Sequence, residues 1–317
     1  YYATFVTAAY GLAGSVAASR GSPRWIGGVF GAFFVGFASN LSTPVRLVVA
    51  LLPDGVAGFL AGLAGVELTA LATGIGEFYY WTASRVIDGT INEFPLFAWL
   101  NGDLHAHMMG PPFLLLAATL LFSYYLTPAA AVWRRRLLVF GAVPAVAGLL
   151  AVVNTWSFPT VAGLAALTVL FAPAEARTLL PEPVSGWLET DDWRLSEGVS
   201  LLLAVAVAAA VVAGGLLLSA PFWLVAASGR QIAFFPPRSG LGPLVLVHGT
   251  FLVVFVPYLL RHALPRVRDA GRTGVMVSLV VVLAVLAQAS AAALLLPLLG
   301  VGWVLLRWRD LPGGVRS

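Results

Sequence analysis

Between Glu77 and Phe113 the chain reads EFYYWTASRVIDGTINEFPLFAWLNGDLHAHMMGPPF, and most of what could do chemistry lies there. Glu77, Asp88, Glu93 and Asp103 supply carboxylates, Arg85 a cation, and His105 and His107 two imidazoles, among the aromatics Tyr79, Tyr80, Trp81 and Trp99. Ionisable groups are costly near hydrocarbon, so such a cluster between apolar runs points to a site before it points to packing. A carboxylate beside an imidazole can orient or deprotonate a hydroxyl, which makes Asp103, His105 and Glu93 the candidate catalytic residues. Asp103 with His105 or His107, joined by Glu93 or Glu77, could instead hold a divalent metal ion. Histidines two apart point in different directions on a helix, so His105 and His107 share a metal only where the chain is extended. The plainer reading of Asp103 is a helix cap, its carboxylate accepting the free N–H groups of the following turn.

Arginine is suited to phosphate through its forked donors, and Arg85 sits beside Tyr79-Tyr-Trp81. A lipid phosphate at the membrane face is a natural ligand for it; a salt bridge to Asp88 or Glu93 is the plainer alternative. Arg230 and Arg238 could form a second half of such a clamp. In Thr90-Ile-Asn-Glu-Phe-Pro95, Pro95 with Phe94, Phe97 and Trp99 predicts a stiff amphipathic turn that presents Asn92 and Glu93. Held against aromatic faces, Glu93 suits a sugar; solvated at an interfacial aromatic belt, it needs no ligand. Asn154 and Trp156, in Asn154-Thr-Trp-Ser157, form a tight turn that could line the same vestibule. His248 is placed to hydrogen-bond a neighbouring helix.

These residues must be positioned by membrane helices. Of 317 residues, 60% are hydrophobic and only 10% charged, where a soluble domain carries about a quarter. The mean hydropathy is +0.92. Apolar runs near the ~20 residues that a spanning helix needs recur along the chain. We read nine spans: roughly 3–19, 25–41, 104–126, 137–153, 158–172, 197–220, 244–261, 273–288 and 290–306. The loops support this count. Alternation places 14 of the 18 arginines on one side and leaves Arg46, Arg85, Arg230 and Arg238 on the other, as the positive-inside rule requires. Loop arginines on that pattern reflect topology, so the net charge of +4 does not indicate nucleic acid. Cysteine is absent, which excludes disulfides and thiolate chemistry. Walker, G-x-S-x-G, H-E-x-x-H and Rossmann patterns are absent too, which argues against a nucleotide-driven pump.

The fold expected is therefore all-α, a polytopic transmembrane bundle forming a single integral membrane domain over residues 1–317. The long stretch 42–103 falls on the outer side. Its apolar pieces, 45–52 and 55–73, flank a Pro53-Asp54-Gly55 turn and are expected to lie at the interface or re-enter the bundle. The chain begins with tyrosine within apolar territory, so a fragment of a longer protein is expected.

The runs YYWTASRVI, TINEFPLFAWLNGDLHAHMMGPPF and NTWSFPT, in this order, resemble the Chlor_Arch_YYY family, polytopic membrane proteins of archaea and Chloroflexi. That family's usual D-L-H-P-H pattern here has Ala106 in place of the proline, which keeps Asp103, His105 and His107. The family is distantly similar to the C-type glycosyltransferases, the GT-C superfamily. The resemblance implies a prokaryotic plasma membrane, a GT-C-like bundle and a polyprenyl-phosphate-linked sugar donor used on the extracytoplasmic face. It also implies a catalytic base in a first outside loop, upstream of this fragment, with Asp103 and Glu93 as partners that bind donor or acceptor. Arg85, Arg230 and Arg238 would then hold phosphate. Tyr79, Tyr80, Trp81 and Trp99 would stack on sugar or lipid. The rivals are a transporter or flippase for a lipid-linked substrate, disfavoured by the lack of ionisable residues mid-span, and a non-catalytic scaffold subunit.

Overall fold

The computed structural model describes residues 1–38, 40–49, 51–64, 80–87, 89–102, 106–190, 192–226 and 239–263, with a few isolated positions beyond. Among these residues the regular structure is helical throughout. In chain order the helices are α1 (Tyr2–Ser19), α2 (Arg24–Ala32, followed by a π turn at Phe33–Phe37), α3 (Ser42–Val49) and α4 (Asp54–Ala64). Next come α5 (Pro95–Asn101), α6 (Ala106–Leu126) and α7 (Val132–Val153, with a π turn at Leu137–Ala142). They are followed by α8 (Ser157–Phe171), α9 (Glu182–Trp187), α10 (Trp193–Leu218) and α11 (Leu241–Ala263).

Four stretches among the described residues are long and apolar enough to cross a membrane: Ala106–Leu126, Val132–Val153, Leu195–Leu218 and Leu241–Arg261. The expected span at 25–41 passes the same test only when Arg24–Phe37 is taken with Ser42–Val49. The expected first span is helical over 18 residues, but its alanine, glycine, serine and threonine keep it outside the four. At 158–172 the helix has 15 residues, below the ~20 needed to span unaided. The expected spans 273–288 and 290–306 lie almost wholly outside the described residues.

The chain divides into two compact units, one of Tyr1–Gly36 with Gly102–Ile232 and one of Phe37–Asn101 with Ala233–Ser317. In the first, α6, α7, α8 and α10 pack together around a core that includes Leu121, Val143, Leu150, Val161, Val169 and Val211. Small residues set how closely these helices approach. A Cβ added at Gly148 would lie 2.9 Å from the Gly215 carbonyl oxygen. That close backbone approach is how membrane helices gain packing without a hydrophobic driving force. α1 and α2 form a hairpin through Gly21, whose φ of 73° favours glycine. Arg20 donates to the Tyr125 hydroxyl at 3.5 Å, so the C-terminal ends of α1 and α6 meet. These two helices therefore run parallel.

In the second unit, α3 and α4 join at Pro53 and share a small core of Val49, Ala57 and Ala61. This is the two-piece reading of 42–73, with the second helix starting at Asp54 and described as far as Ala64. α4 packs on α11, and the Leu41 N–H donates to the Leu246 carbonyl at 2.8 Å.

Candidate functional site

In the second unit the motif Tyr80–Asn101 is built around one aromatic stack. Tyr80–Ser84 is a turn of 3-10 helix. Pro95 opens α5, where its fixed φ and missing N–H cost nothing. α5 ends at Asn101 before Gly102, whose φ of 65° is the left-handed stop expected there. The sequence predicted a turn at Pro95; the structure has a helix, and it buries Phe97 and Ala98. Phe97 meets the Trp81 ring edge-on at 5.2 Å and Phe94 at 5.8 Å. Phe97 thus belongs to packing, and the interfacial-belt reading fails for it.

On Trp81 lies Arg85, its guanidinium carbon 5.2 Å from the ring centroid. One guanidinium nitrogen donates to the Ser84 carbonyl at 2.9 Å and to the Ser84 hydroxyl at 2.7 Å. Ser84 is itself buried and donates to the Trp81 carbonyl at 2.9 Å. The side chain is otherwise exposed. No ion pair joins Arg85 to Glu93, so that part of the plainer reading does not hold; Asp88 lies outside the described residues. The arrangement fixes a cation on an aromatic face and leaves donors outward, which suits a phosphate or another oxyanion.

Asn92 closes the loop beneath. Its side-chain oxygen accepts from the Ile87 N–H at 2.9 Å, its amide donates to Thr90 at 3.0 Å, and its backbone N–H donates to the Ser84 carbonyl at 2.8 Å. With its side-chain oxygen, its amide and its backbone N–H engaged in this way, Asn92 shapes the loop. Gly89, with φ of 67°, makes the turn inside it. Glu93 and Trp99 are half-buried beside this loop.

Sequence reasoning missed Asn40. It is buried, donates to the Ala83 carbonyl at 2.5 Å, and accepts from the N–H and hydroxyl of Ser42 at 3.1 and 2.5 Å. It thereby ties the start of α3 to the turn that carries Trp81. The signal was an Asn two residues before a Ser at a helix start, an Asx turn.

The first unit holds a separate group at the N-terminal end of α6. Gly110 faces Asn154, whose Cβ and amide nitrogen would each lie 3.0 Å from a Cβ placed there. His107 is one turn earlier on α6 and exposed. Pro111 and Pro112 cannot donate to the carbonyls of His107 and Met108, which loosens this end of the helix. Trp156, 85% exposed, sits in the turn that follows Asn154. His107, Asn154 and Trp156 are thus gathered at one end of the bundle.

The other end holds what the sequence did not announce. Arg135 is completely buried, with no carboxylate on it. It donates to the Tyr124 hydroxyl at 2.6 Å, to the Ala174 carbonyl at 3.0 Å and to the Thr178 hydroxyl, and its guanidinium lies 4.8 Å from the Tyr124 ring. Its Nε has no partner. Arg136 donates to the Leu179 carbonyl at 2.9 Å. Arg177 pairs with Glu175 and, at 3.1 Å, with Glu189. The glutamates hold its guanidinium above the ordinary range, Glu175 through a hydrogen bond most of all. Arg20, Arg24, Arg134, Arg135, Arg136 and Arg177 thus gather at one end, as the arginine count requires of one membrane side.

Of the remaining sequence candidates, Asp103, His105, Tyr79, Arg230 and Arg238 lie outside the described residues, as do Glu77 and the side chain of Tyr80. Among the described residues no three His, Asp or Glu side chains converge on a metal-sized space. His248 is exposed and makes no hydrogen bond among the described residues, so its expected helix-to-helix role is not met.

A chain whose regular structure is helical among the described residues, with several helices apolar and long enough to cross a bilayer, is a multi-pass membrane protein. The chain belongs to the family described as uncharacterized membrane protein (DUF2298), whose model matches residues 1–314. No curated protein and no solved structure matches it.

Proposed function

We propose that the chain is the membrane body of a glycosyltransferase of the GT-C kind, a nine-span bundle with 42–103 on the extracytoplasmic face of a prokaryotic plasma membrane. It moves a sugar from a polyprenyl-phosphate donor to an acceptor outside the cell. The observation that carries the reading is Arg85, seated on Trp81 with donors turned outward. A fixed cation on an aromatic face fits a donor that is phosphate on one side and sugar or isoprenoid on the other. Arg230 and Arg238 complete the clamp. In the transfer, an acceptor hydroxyl attacks the anomeric carbon while the bond from that carbon to the phosphate oxygen breaks. The phosphate leaves with the electron pair, and the hydroxyl proton passes to a carboxylate. Asp103, Glu93 and His105 orient or receive that hydroxyl. Trp99, Tyr79, Tyr80, Asn154 and Trp156 bind sugar or lipid, and a divalent ion at His105, His107 and Asp103 would steady the leaving phosphate.

The test is genetic and chemical. The full-length gene is deleted in its host and restored as wild type, Asp103→Asn or Arg85→Ala, and lipid-linked and surface glycans are measured by mass spectrometry. One sugar should disappear in the deletion and return with wild type but with neither variant, both being expressed normally. Unchanged glycans in every strain, in a host without a second copy of the gene, would sink the reading and leave the scaffold or transporter.

A further inference from the structure

An elongated groove of about 660 Å³ runs between α1 and α6 in the first unit. This is within the ~300–1,000 Å³ of ordinary ligand sites. Its walls are one face of each helix: Phe5, Ala8 and Leu12 from α1, and Leu115, Leu116 and Thr119 from α6. These positions recur at three- and four-residue steps, so each wall is a continuous stripe along its helix. From Tyr1 to Ser15 the groove follows about 21 Å of helix at ~1.5 Å per residue. That exceeds the half-thickness of a ~30 Å hydrocarbon core and gives room for one acyl chain.

The two ends of the groove differ. At the end nearer the C-termini of α1 and α6 it is lined by Ser15, Arg24 and Ser123. The Ser123 hydroxyl accepts from Arg134 at 3.1 Å, and Arg20 reaches Tyr125 at 3.5 Å. Arg20, Arg24 and Arg134 are exposed, and none is in an ion pair among the described residues. No aspartate or glutamate occurs in 1–36 or 106–174, and of the acids that follow in this unit, Glu175 and Glu189 pair with Arg177. Arg24 thus lines the mouth of the groove, Arg20 and Arg134 stand beside it, and none of the three is paired with a carboxylate among the described residues.

We infer that this groove binds an anionic phospholipid of the arginine-side leaflet, one acyl chain between α1 and α6 and the phosphodiester among Arg20, Arg24 and Arg134. The occupant is fixed by charge and shape together. A neutral lipid would leave the three guanidiniums facing a head group without net charge. A volume of about 660 Å³ along about 21 Å of helix is too narrow for a transmembrane helix some ~10–12 Å across. The inference does not rest on the glycosyltransferase reading, because it uses none of the residues assigned to that site.

The probe is the full chain in nanodiscs of phosphatidylglycerol and phosphatidylcholine at equal amounts, followed by stepwise delipidation and native mass spectrometry. Wild type should keep phosphatidylglycerol at least tenfold over phosphatidylcholine. The combined Arg20→Gln, Arg24→Gln and Arg134→Gln protein should lose that preference, and Arg85→Gln should keep it. Phosphatidylglycerol with a diazirine on one acyl chain should label wild-type α1 and α6, a readout that does not require any variant to fold. Equal retention of the two lipids, an unchanged preference in the triple variant, or labelling confined to other helices would overturn the assignment. Polyprenyl phosphate displacing phosphatidylglycerol at equal concentration would overturn it too, and give the groove to an isoprenoid.

Discussion

Arg85 and Arg135 each lie over an aromatic ring, at 5.2 Å from Trp81 and 4.8 Å from Tyr124, and are held for opposite purposes. Arg135 has no exposed surface, and its guanidinium is spent on a phenol, a threonine hydroxyl and the carbonyls of Ala174 and Glu175. Arg85 uses one nitrogen, on Ser84, and keeps the rest of its fork in the open. The first joins three segments of one bundle end. The second is positioned but unsaturated, the state in which an arginine recognises an oxyanion. A cation over an aromatic ring therefore does not mark a site; the fate of the remaining donors does.

The sharpest way to break the comparison is to remove Arg135. Arg135→Ala strands the Tyr124 hydroxyl, the Ala174 carbonyl and a cavity. Each buried group left unsatisfied costs about 1–3 kcal/mol, so a loss of roughly 3 kcal/mol or more is expected. Thermal unfolding in detergent and the monodisperse yield report it. Arg135→Lys, which keeps charge but not the planar fork, should recover part of the loss. An Arg135→Ala protein that melts with wild type would show that the buried guanidinium locks nothing.

Arg85→Ala should do the reverse, leaving thermal unfolding within about 0.5 kcal/mol of wild type, as exposed positions usually do. Binding of a polyprenyl-phosphate donor should fall on the order of 10- to 100-fold, about 1.4–2.8 kcal/mol. Arg85→Lys should lie between, since a point charge replaces a fork. Isothermal titration in detergent measures both. Unchanged donor affinity in Arg85→Ala would end the phosphate-clamp reading while leaving the fold as described.

How far the sequence carried depended on whether a residue's partner was near in the chain. Hydropathy located the helices at 106–126, 132–153, 195–218 and 241–261, because a span is a local property of about 20 residues. The arginine count anticipated that Arg20, Arg134 and Arg177 share one end, because topology sorts loop charge. Arg135 stayed hidden. Arg134, Arg135 and Arg136 are identical in the sequence, and contacts to Tyr124 and to Ala174 and Thr178 make the middle one a core residue. Phe97 was misread for the same reason, since its partner Trp81 lies across a loop. Asn92 was read as a substrate-binding candidate beside Glu93, yet its hydrogen bonds all fall within eight residues and were open to prediction as a turn.

That last residue sharpens the Arg85 side of the comparison. Asn92→Ala frees the Ile87 N–H and loosens the loop that holds Ser84 under Arg85. A cost of about 1 kcal/mol is expected, confined to this loop. Amide exchange over 84–92 should speed up several-fold while the protection of α6–α8 stays as in wild type. Donor affinity should weaken less than in Arg85→Ala, because the guanidinium is mispositioned rather than removed. Exchange as slow as wild type in 84–92 would show that the asparagine is free to bind ligand after all.

The smallest effect belongs to a third arginine, which pairs with acids as neither of the others does. Arg177 meets Glu175 and Glu189 with its side chain partly exposed and both carboxylates largely so. Solvent screens such pairs, and exposed ones contribute about 0–1 kcal/mol, so Arg177→Gln should shift thermal unfolding barely measurably. The glutamates raise the Arg177 pKa, with the Glu175 hydrogen bond the first cause. A cation whose folded pKa is raised contributes its stability in full below its unfolded value, and loses it only as pH climbs through the folded one. Both values lie in strongly alkaline solution, so the Arg177→Gln difference should be flat across neutral pH. It should shrink with added salt, while that of Arg135→Ala should not. Equal salt dependence in the two variants would mean that water reaches Arg135, and the contrast between a buried lock and a surface pair would collapse.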